Sequence, residues 1–216
     1  MNAESARHQM VKQQVRAWEV LDPRVLEVLG TLHREAFVPE QFKPLAFADT
    51  EIPLPHKQFM MAPKVEGRLL QALDLSGDES VLEIGTGSGF LTACLARLAR
   101  QVNSVEIHAD MSSTAARVLD EQGIRNANLE VADALAIEIG KTYDAIAVTA
   151  SSPRRIQRFE KALRPGGRLF IIVGEPPAME AMLVTRVGES SWTRESLFET
   201  STSPLLNVEQ PSRFKF

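Results

Sequence analysis

The sequence predicts an α/β fold, a doubly wound, mostly parallel sheet covered by helices, with a helical segment ahead of it. Three observations lead there. From Ser80 onward, short apolar runs alternate with amphipathic helical stretches at the pace of right-handed βαβ units. A glycine-rich turn, Gly85-Thr86-Gly87-Ser88-Gly89, joins the first such run to the first such helix. Before residue 76, apolar residues instead recur at helical spacing. A chain of 216 residues is long enough for one well-buried domain of this kind plus a small appendage.

Taken in order, Met10, Val11, Val15 and Trp18 share one helical face. Asp22 reads as an N-cap with Pro23 at the first helical position, followed by Val25, Leu26, Val28 and Leu29. Residues 39–63 hold five prolines and little periodicity, which predicts a loop with at most a short strand. A loop that long is often functional. A helix follows with Pro63 in its first turn and Val65, Leu69, Leu70 and Leu73 on one face. Strands are expected at 80–84, 102–107, 128–131, 143–149 and 168–173. Helices are expected at 90–100, 109–122 and 153–163, the second stopped by Gly123 and the third opened by Pro153. The looser alternation over 181–199 suits an antiparallel pair on the sheet edge. The chain thus divides into residues 1–76, helical and loop-rich and packed on the core, and residues 77–216, the sheet domain.

A net charge of −4 gives no electrostatic reason to expect nucleic acid or an anionic membrane as partner. The single cysteine, Cys94, excludes an internal disulfide framework and a cysteine-based zinc cage. It sits mid-helix on the apolar side and reads as a core thiol. His8, His33, His56 and His108 lack metal-ligand spacing, so no metal is expected. Trp18 and Trp192 read as packing residues. The basic run Arg154-Arg155-Ile156-Gln157-Arg158 reads as a solvated helix face. No apolar run reaches the roughly 18–20 residues of a membrane span, and the polar start has no signal-peptide core. The expectation is a soluble cytoplasmic protein; the oligomeric state is left open.

The chemistry gathers at carboxyl ends of strands. Glycines after the first strand let the backbone turn sharply and approach a ligand, and the next helix presents free N–H groups. The third glycine of a dinucleotide fingerprint is replaced by Phe90, so the pattern is GxGxG preceded by an acid. A nucleoside with an amino-acid tail suits it better than a pyrophosphate, with Glu83 facing a ligand ammonium. Glu106, 21 residues after Gly85 at the end of the second strand, can accept hydrogen bonds from ribose hydroxyls. Asp133, just after the third strand, is within reach of an adenine amino group.

These residues resemble the protein-L-isoaspartate O-methyltransferases. The likeness lies in VLEIGTGSGFLTACLARL, the acid of VEI, YDAIAVTA and LRPGGRLFIIVG. Ahead of them it lies in Met10-Val11, VLEVLGTLHREAFVP, Asp49-Thr50, the run Ile52-Pro53-Leu54-Pro55, and Ala62-Pro63. The resemblance implies a Rossmann-like, doubly wound, mostly parallel seven-stranded sheet with an N-terminal helical extension. It implies S-adenosylmethionine as cofactor and methyl transfer to the carboxylate of an isoaspartyl residue in damaged protein or peptide. The implied cofactor set is Glu83, Gly85, Thr86, Gly87, Gly89, Glu106, Ile107, Asp133, Ala134 and Thr149. In that set Ile107 packs on the adenine and Asp133 reads its amino group.

One segment departs from the family pattern. The family's loop carries two glycines and a hydroxyl residue two positions before a proline. Here Pro55-His56-Lys57-Gln58-Phe59-Met60-Met61-Ala62-Pro63 is two residues shorter, lacks both glycines, and has Met61 at the hydroxyl position. His56, Lys57, Met61 and Lys64 are therefore the candidate substrate-side residues. The polar ones can bind a substrate carboxylate, and their ordinary reading is as solvated side chains. The alternatives are a small-molecule acceptor in an apolar pocket of Phe59, Met60 and Met61, or a cofactor-binding homologue without turnover.

Overall fold

A computed structural model describes residues 2–140 and 142–209. The N-terminal helix α1 (Ala3–Met10) starts where the Asn2 side chain accepts a hydrogen bond from the Ser5 N–H, at 2.8 Å. It runs on through one wide π-turn, Val11–Val15, and one tight turn, Arg16–Trp18. Helix α2 (Pro23–Thr31) begins as its sequence indicates, the Asp22 carboxylate accepting from Arg24 N at 2.8 Å. Trp18 meets the edge of Phe198 at 5.6 Å between ring centroids, so both aromatics serve packing.

The proline-rich stretch is more ordered than a loop. It holds a tight helical turn, Glu40–Leu45, and a two-stranded antiparallel ribbon, β1 (Ile52–Pro53) and β2 (Phe59–Met60). The Leu54 N–H donates to the Gln58 carbonyl at 2.8 Å and closes the ribbon's turn, where His56 and Lys57 both take left-handed backbone angles. Helix α3 (Pro63–Leu73) then buries Val65, Leu69, Leu70 and Leu73 as its spacing requires.

The main sheet has seven strands: β3 (Ser80–Ile84), β4 (Gln101–Glu106), β5 (Ala127–Val131), β6 (Tyr143–Ser152), β7 (Leu163–Glu175), β8 (Ala178–Arg186) and β9 (Trp192–Thr200). Their order is β5-β4-β3-β6-β7-β8-β9; the first five are parallel, and β8 and β9 form the antiparallel edge. Helices α4 (Phe90–Leu98), α5 (Ala109–Glu121) and the short α6 (Gln157–Lys161) connect the parallel strands. The chain moves outward from β3 to β5 and then returns to β6 on the other side of β3. That reversal opens a crevice at the carboxyl ends of β3, β4 and β6.

One expected helix is corrected. Pro153 does not open a helix over 153–163; β6 continues to Ser152, and helix forms only at Gln157–Lys161. The cause is a long-range pairing. Ser151 N donates to the Ser203 carbonyl at 2.8 Å, and Leu205 N donates to the Ser151 carbonyl at 2.7 Å, holding the backbone extended. The basic run is likewise only partly solvated. Arg158 donates to the carbonyls of Leu135 and Ile137, and Arg155 pairs with Glu160.

The core on one side of the sheet packs α2, α3 and α4 through residues such as Leu29, Leu70 and Leu95, with Cys94 fully buried among them. Within this layer lies one fully buried cation. Arg34 donates to the carbonyls of Ala46 (2.9 Å) and Met61 (2.7 Å), forms an ion pair with Glu66, and lies 4.7 Å over the Phe90 ring. Burial pushes the Glu66 carboxyl up to about 7 against the downward pull of Arg34. Removing one partner of such a pair strands the other. Glu66→Ala is therefore expected to cost about 3–5 kcal/mol in a urea melt. A loss below roughly 1 kcal/mol, the range of surface ion pairs, would refute that role for the pair.

Candidate functional site

The glycine turn between β3 and α4 is built for close approach. At Gly85, φ is +94°, and a Cβ placed there would lie 2.2 Å from Thr149 Oγ1. That hydroxyl itself sits 3.0 and 2.9 Å from the carbonyls of Ile84 and Gly85, so β6 presses directly on the turn. Gly89, at φ +85°, is the N-cap of α4 and would drive a Cβ to 3.0 Å from the Ala115 methyl on α5. Any side chain at either place needs both a rare backbone region and a neighbour that moves.

Glu106 ends β4 almost fully buried. Its two oxygens accept from Gly87 N (2.9 Å) and His108 N (3.0 Å). An ionised carboxylate has about four lone-pair sites, so acceptor capacity remains on the cleft side. Asp133 Oδ1 accepts from Leu135 N at 2.8 Å, and its Oδ2 accepts from the Asn207 side-chain amide at 2.8 Å. Between these carboxylates lie the apolar Ile107 and Ala134. The cleft they share encloses about 650 Å³ of open space, its mouth to solvent included.

Seven of the ten residues expected at a cofactor line this one cleft: Gly85, Gly87, Glu106, Ile107, Asp133, Ala134 and Thr149. Thr86 lines an adjoining recess of about 300 Å³ beside Met61, and Gly89 packs behind the turn on α5. Glu83 lies beneath the turn, with no exposure at all, accepting from Thr92 Oγ1 and Ser104 Oγ.

The four substrate-side residues scatter. His56 stacks on His108, a cleft residue, with ring centroids 3.9 Å apart, and its Nε2 lies 2.9 Å from Asp110 Oδ1. Asp110's carboxyl is held below its usual range by that histidine. Lys57 is exposed at the ribbon's turn. Met61 is buried in the wall of the recess, its carbonyl taken by Arg34. Lys64 is turned away: its ammonium pairs with Asp49 at 2.7 Å and lies 4.5 Å over the Trp18 ring.

Sequence reasoning missed one wall of the cleft altogether. Thr202, Ser203, Pro204, Leu205 and Leu206 cross its mouth, tied to Ser151 by the backbone pairing described above. The signal for it in the sequence is the apolar run Pro204-Leu205-Leu206 between the polar Ser201-Thr202-Ser203 and Asn207. Gln58 and Phe59 of the ribbon face it from the other side.

The family model for protein-L-isoaspartate(D-aspartate) O-methyltransferases matches residues 5–209. The chain belongs to that family. A protein-L-isoaspartate O-methyltransferase of Rhodopseudomonas palustris is 37% identical over 202 residues, 93% of each chain. One from Syntrophus aciditrophicus is 39% identical over 184 residues, 85% of this chain and 84% of that one. In three dimensions, a Plasmodium falciparum protein crystallised in complex with S-adenosyl-L-homocysteine superposes with a TM-score of 0.79. At 19% identity, over 95% of this chain and 98% of that one, the likeness is one of fold.

For this family member the clash at Gly85 gives a direct test. Gly85→Ala is expected to weaken S-adenosylhomocysteine binding by at least about tenfold in calorimetry, from backbone strain of roughly 1–2 kcal/mol before the contact with Thr149 is counted. Adding Thr149→Ala should restore only part of the affinity, because the positive φ remains. Unchanged affinity in the single variant would mean the ligand does not lie on this turn.

Proposed function

We propose that this chain transfers the methyl group of S-adenosylmethionine to the carboxylate of an isoaspartyl residue in a damaged protein or peptide, in the cytoplasm. The observation that carries the reading is the family match over residues 5–209, which takes in the N-terminal loops as well as the sheet.

The residues present fit the cofactor. Gly85 and Gly87 contribute bare backbone to the cleft wall, Glu106 has acceptor capacity left for ribose hydroxyls, and Ile107 and Ala134 offer apolar surface to a base. Asp133 and the Asn207 amide it holds are the polar groups at the base end. Bound there, the cofactor supplies a methyl group on a positively charged sulfur, ready for in-line displacement. The acceptor needs no general base, since an α-carboxyl with a pKa of roughly 3.5 is already ionised at neutral pH. The protein's part is to position the two reactants and keep water from the carboxylate. Phe59 from the ribbon and Leu205 from the C-terminal crossing give the cleft apolar walls for the second task. Lys57, exposed at the turn of the ribbon, is the cationic group we assign to the approach of an anionic acceptor; His56 is engaged by Asp110 and Lys64 by Asp49.

A second reading is favoured by one feature, the recess lined by Leu54, Phe59, Met60, Met61 and Leu91. Those five side chains offer apolar contact to a small acceptor, beside the polar Glu66, Thr86, Ser88 and Thr149 of the same recess. Incubation with methyl-labelled cofactor separates the two. An isoaspartyl peptide should acquire a base-labile methyl ester, and its normal aspartyl counterpart should not. Equal labelling of both peptides would refute the proposal, and label from a cell extract found in the small-molecule fraction would support the second reading.

A further inference from the structure

We propose that Glu83 is a positioning residue: from beneath the sheet edge it sets the conformation of the glycine turn through a chain of buried hydroxyls, and never touches the cofactor. The inference rests on the proposed seating of the cofactor on that turn.

The geometry is continuous. Thr92 Oγ1 donates to Glu83 Oε2 at 2.5 Å, and Ser104 Oγ donates to the same oxygen at 2.6 Å. Ser104 Oγ lies 2.6 Å from Thr86 Oγ1, and Thr86 is the residue between Gly85 and Gly87. Glu83, Thr92 and Ser104 have no exposure, and Thr86 has 4%. The chain therefore runs from a carboxyl in the core to the middle of the ligand-binding turn without meeting solvent. The sequence places the acid beside the glycines, but the strand turns it to the opposite side from the cleft, toward α4.

Such a chain has a direction, and the carboxyl controls it. An ionised carboxylate only accepts, so Ser104 must donate to it and Thr86 must then donate to Ser104. A protonated carboxyl can donate to Ser104 and reverse the chain, freeing the Thr86 hydroxyl hydrogen for the recess it lines. The groups around Glu83 favour its protonated form. Glu106 on β4 and Glu66 on α3 are like charges, Arg34 beside Glu66 offsets the latter in part, and Cys94 on α4 is a neutral thiol. Burial, opposed by the two hydroxyl hydrogen bonds, raises the Glu83 carboxyl to about 8. The linkage has one sign: the folded protein holds this proton through neutral pH, and the arrangement it favours is lost as pH rises through about 8.

The test uses ligand-free protein with carbon-13-labelled threonine methyls, titrated from about pH 6 to 9.5. In the wild type the methyl signals of Thr92 and Thr86 are expected to shift together with one midpoint. Ser104→Ala cuts the chain on the turn's side only, so Thr92 should keep its step and Thr86 should lose it. Glu83→Gln should remove both steps. A second arm measures 5′-methylthioadenosine, which carries no group titrating in this range. Its affinity for the wild type should fall about tenfold between roughly pH 7 and 9.5, with the Glu83→Gln protein nearly flat. The proposal is overturned if Thr86 shows no step in the wild type, keeps it in the Ser104 variant, or keeps it in the Glu83 variant. Should Glu83→Gln not fold, the Ser104→Ala comparison decides alone. Failure of every protein to bind the nucleoside, with the methyl steps as expected, would count against the cofactor's seat and not against the hydroxyl chain.

Discussion

Three consecutive residues of β4 hold three consecutive residues of the glycine turn. The Val105 carbonyl accepts from Gly85 N at 2.8 Å, the Ser104 hydroxyl meets that of Thr86 at 2.6 Å, and the Glu106 carboxylate accepts from Gly87 N at 2.9 Å. A turn with three glycines at positive φ has little conformational preference of its own and gains its shape from this template. The template in turn depends on the register of β3 against β4, in which Ile84 lies beside Val105. A slip of one residue would present the other face of β4 and lose all three contacts together. The site is thus a consequence of strand pairing, and the hydrophobic core that fixes the pairing also fixes the site.

The second wall is held by different means. Its ribbon has no strand pairing with the main sheet; His56 meets Asp110 and His108 of the sheet domain, and Arg34 ties together the segments that flank the ribbon. One guanidinium reaches the turn before the ribbon through Ala46, the residue after it through Met61, and α3 through Glu66. The anchor bonds backbone carbonyls, which any residue provides, and the ribbon's own turn takes left-handed angles at His56 and Lys57. Met61 thereby enters the wall through its backbone as much as through its side chain.

What could be read from the sequence was local, and what could not was set by distant contacts. The alternation of strands and helices, the cap at Asp22, the helix start at Pro63, and Glu106 and Asp133 at strand ends all follow from short-range rules, and the structure places them accordingly. The face taken by Glu83 could not be read, because all five residues of β3 are buried and no polar alternation marks its two sides. Pro153 has the local signature of a helix start, yet residues 203–205 pair with Ser151 and keep the chain extended. The same pairing carries the cleft's C-terminal wall, whose residues show no period of their own. The pairing of Lys64 with Asp49, fifteen positions earlier, likewise carries no sign in the sequence.

The two fully buried acids of this core, Glu66 and Glu83, bear on why such groups are present at all. Burying an ionisable side chain is unfavourable, and apolar residues of similar volume commonly serve stability as well or better. Both carboxyls are raised by burial, to about 7 and about 8, so the fold bears that cost at neutral pH. Glu160, a buried acid elsewhere in the sheet domain, is different in kind: Arg155 and Arg194 reach it from partly exposed positions and hold it at 3.0 Å. Glu66 and Glu83 instead face inward, one ending in the guanidinium that holds the ribbon and the other in the hydroxyls that reach the glycine turn. Each wall of the cleft is thus tied to its own interior carboxyl. Packing alone gives no reason for that placement, and the need to fix two otherwise pliable walls does.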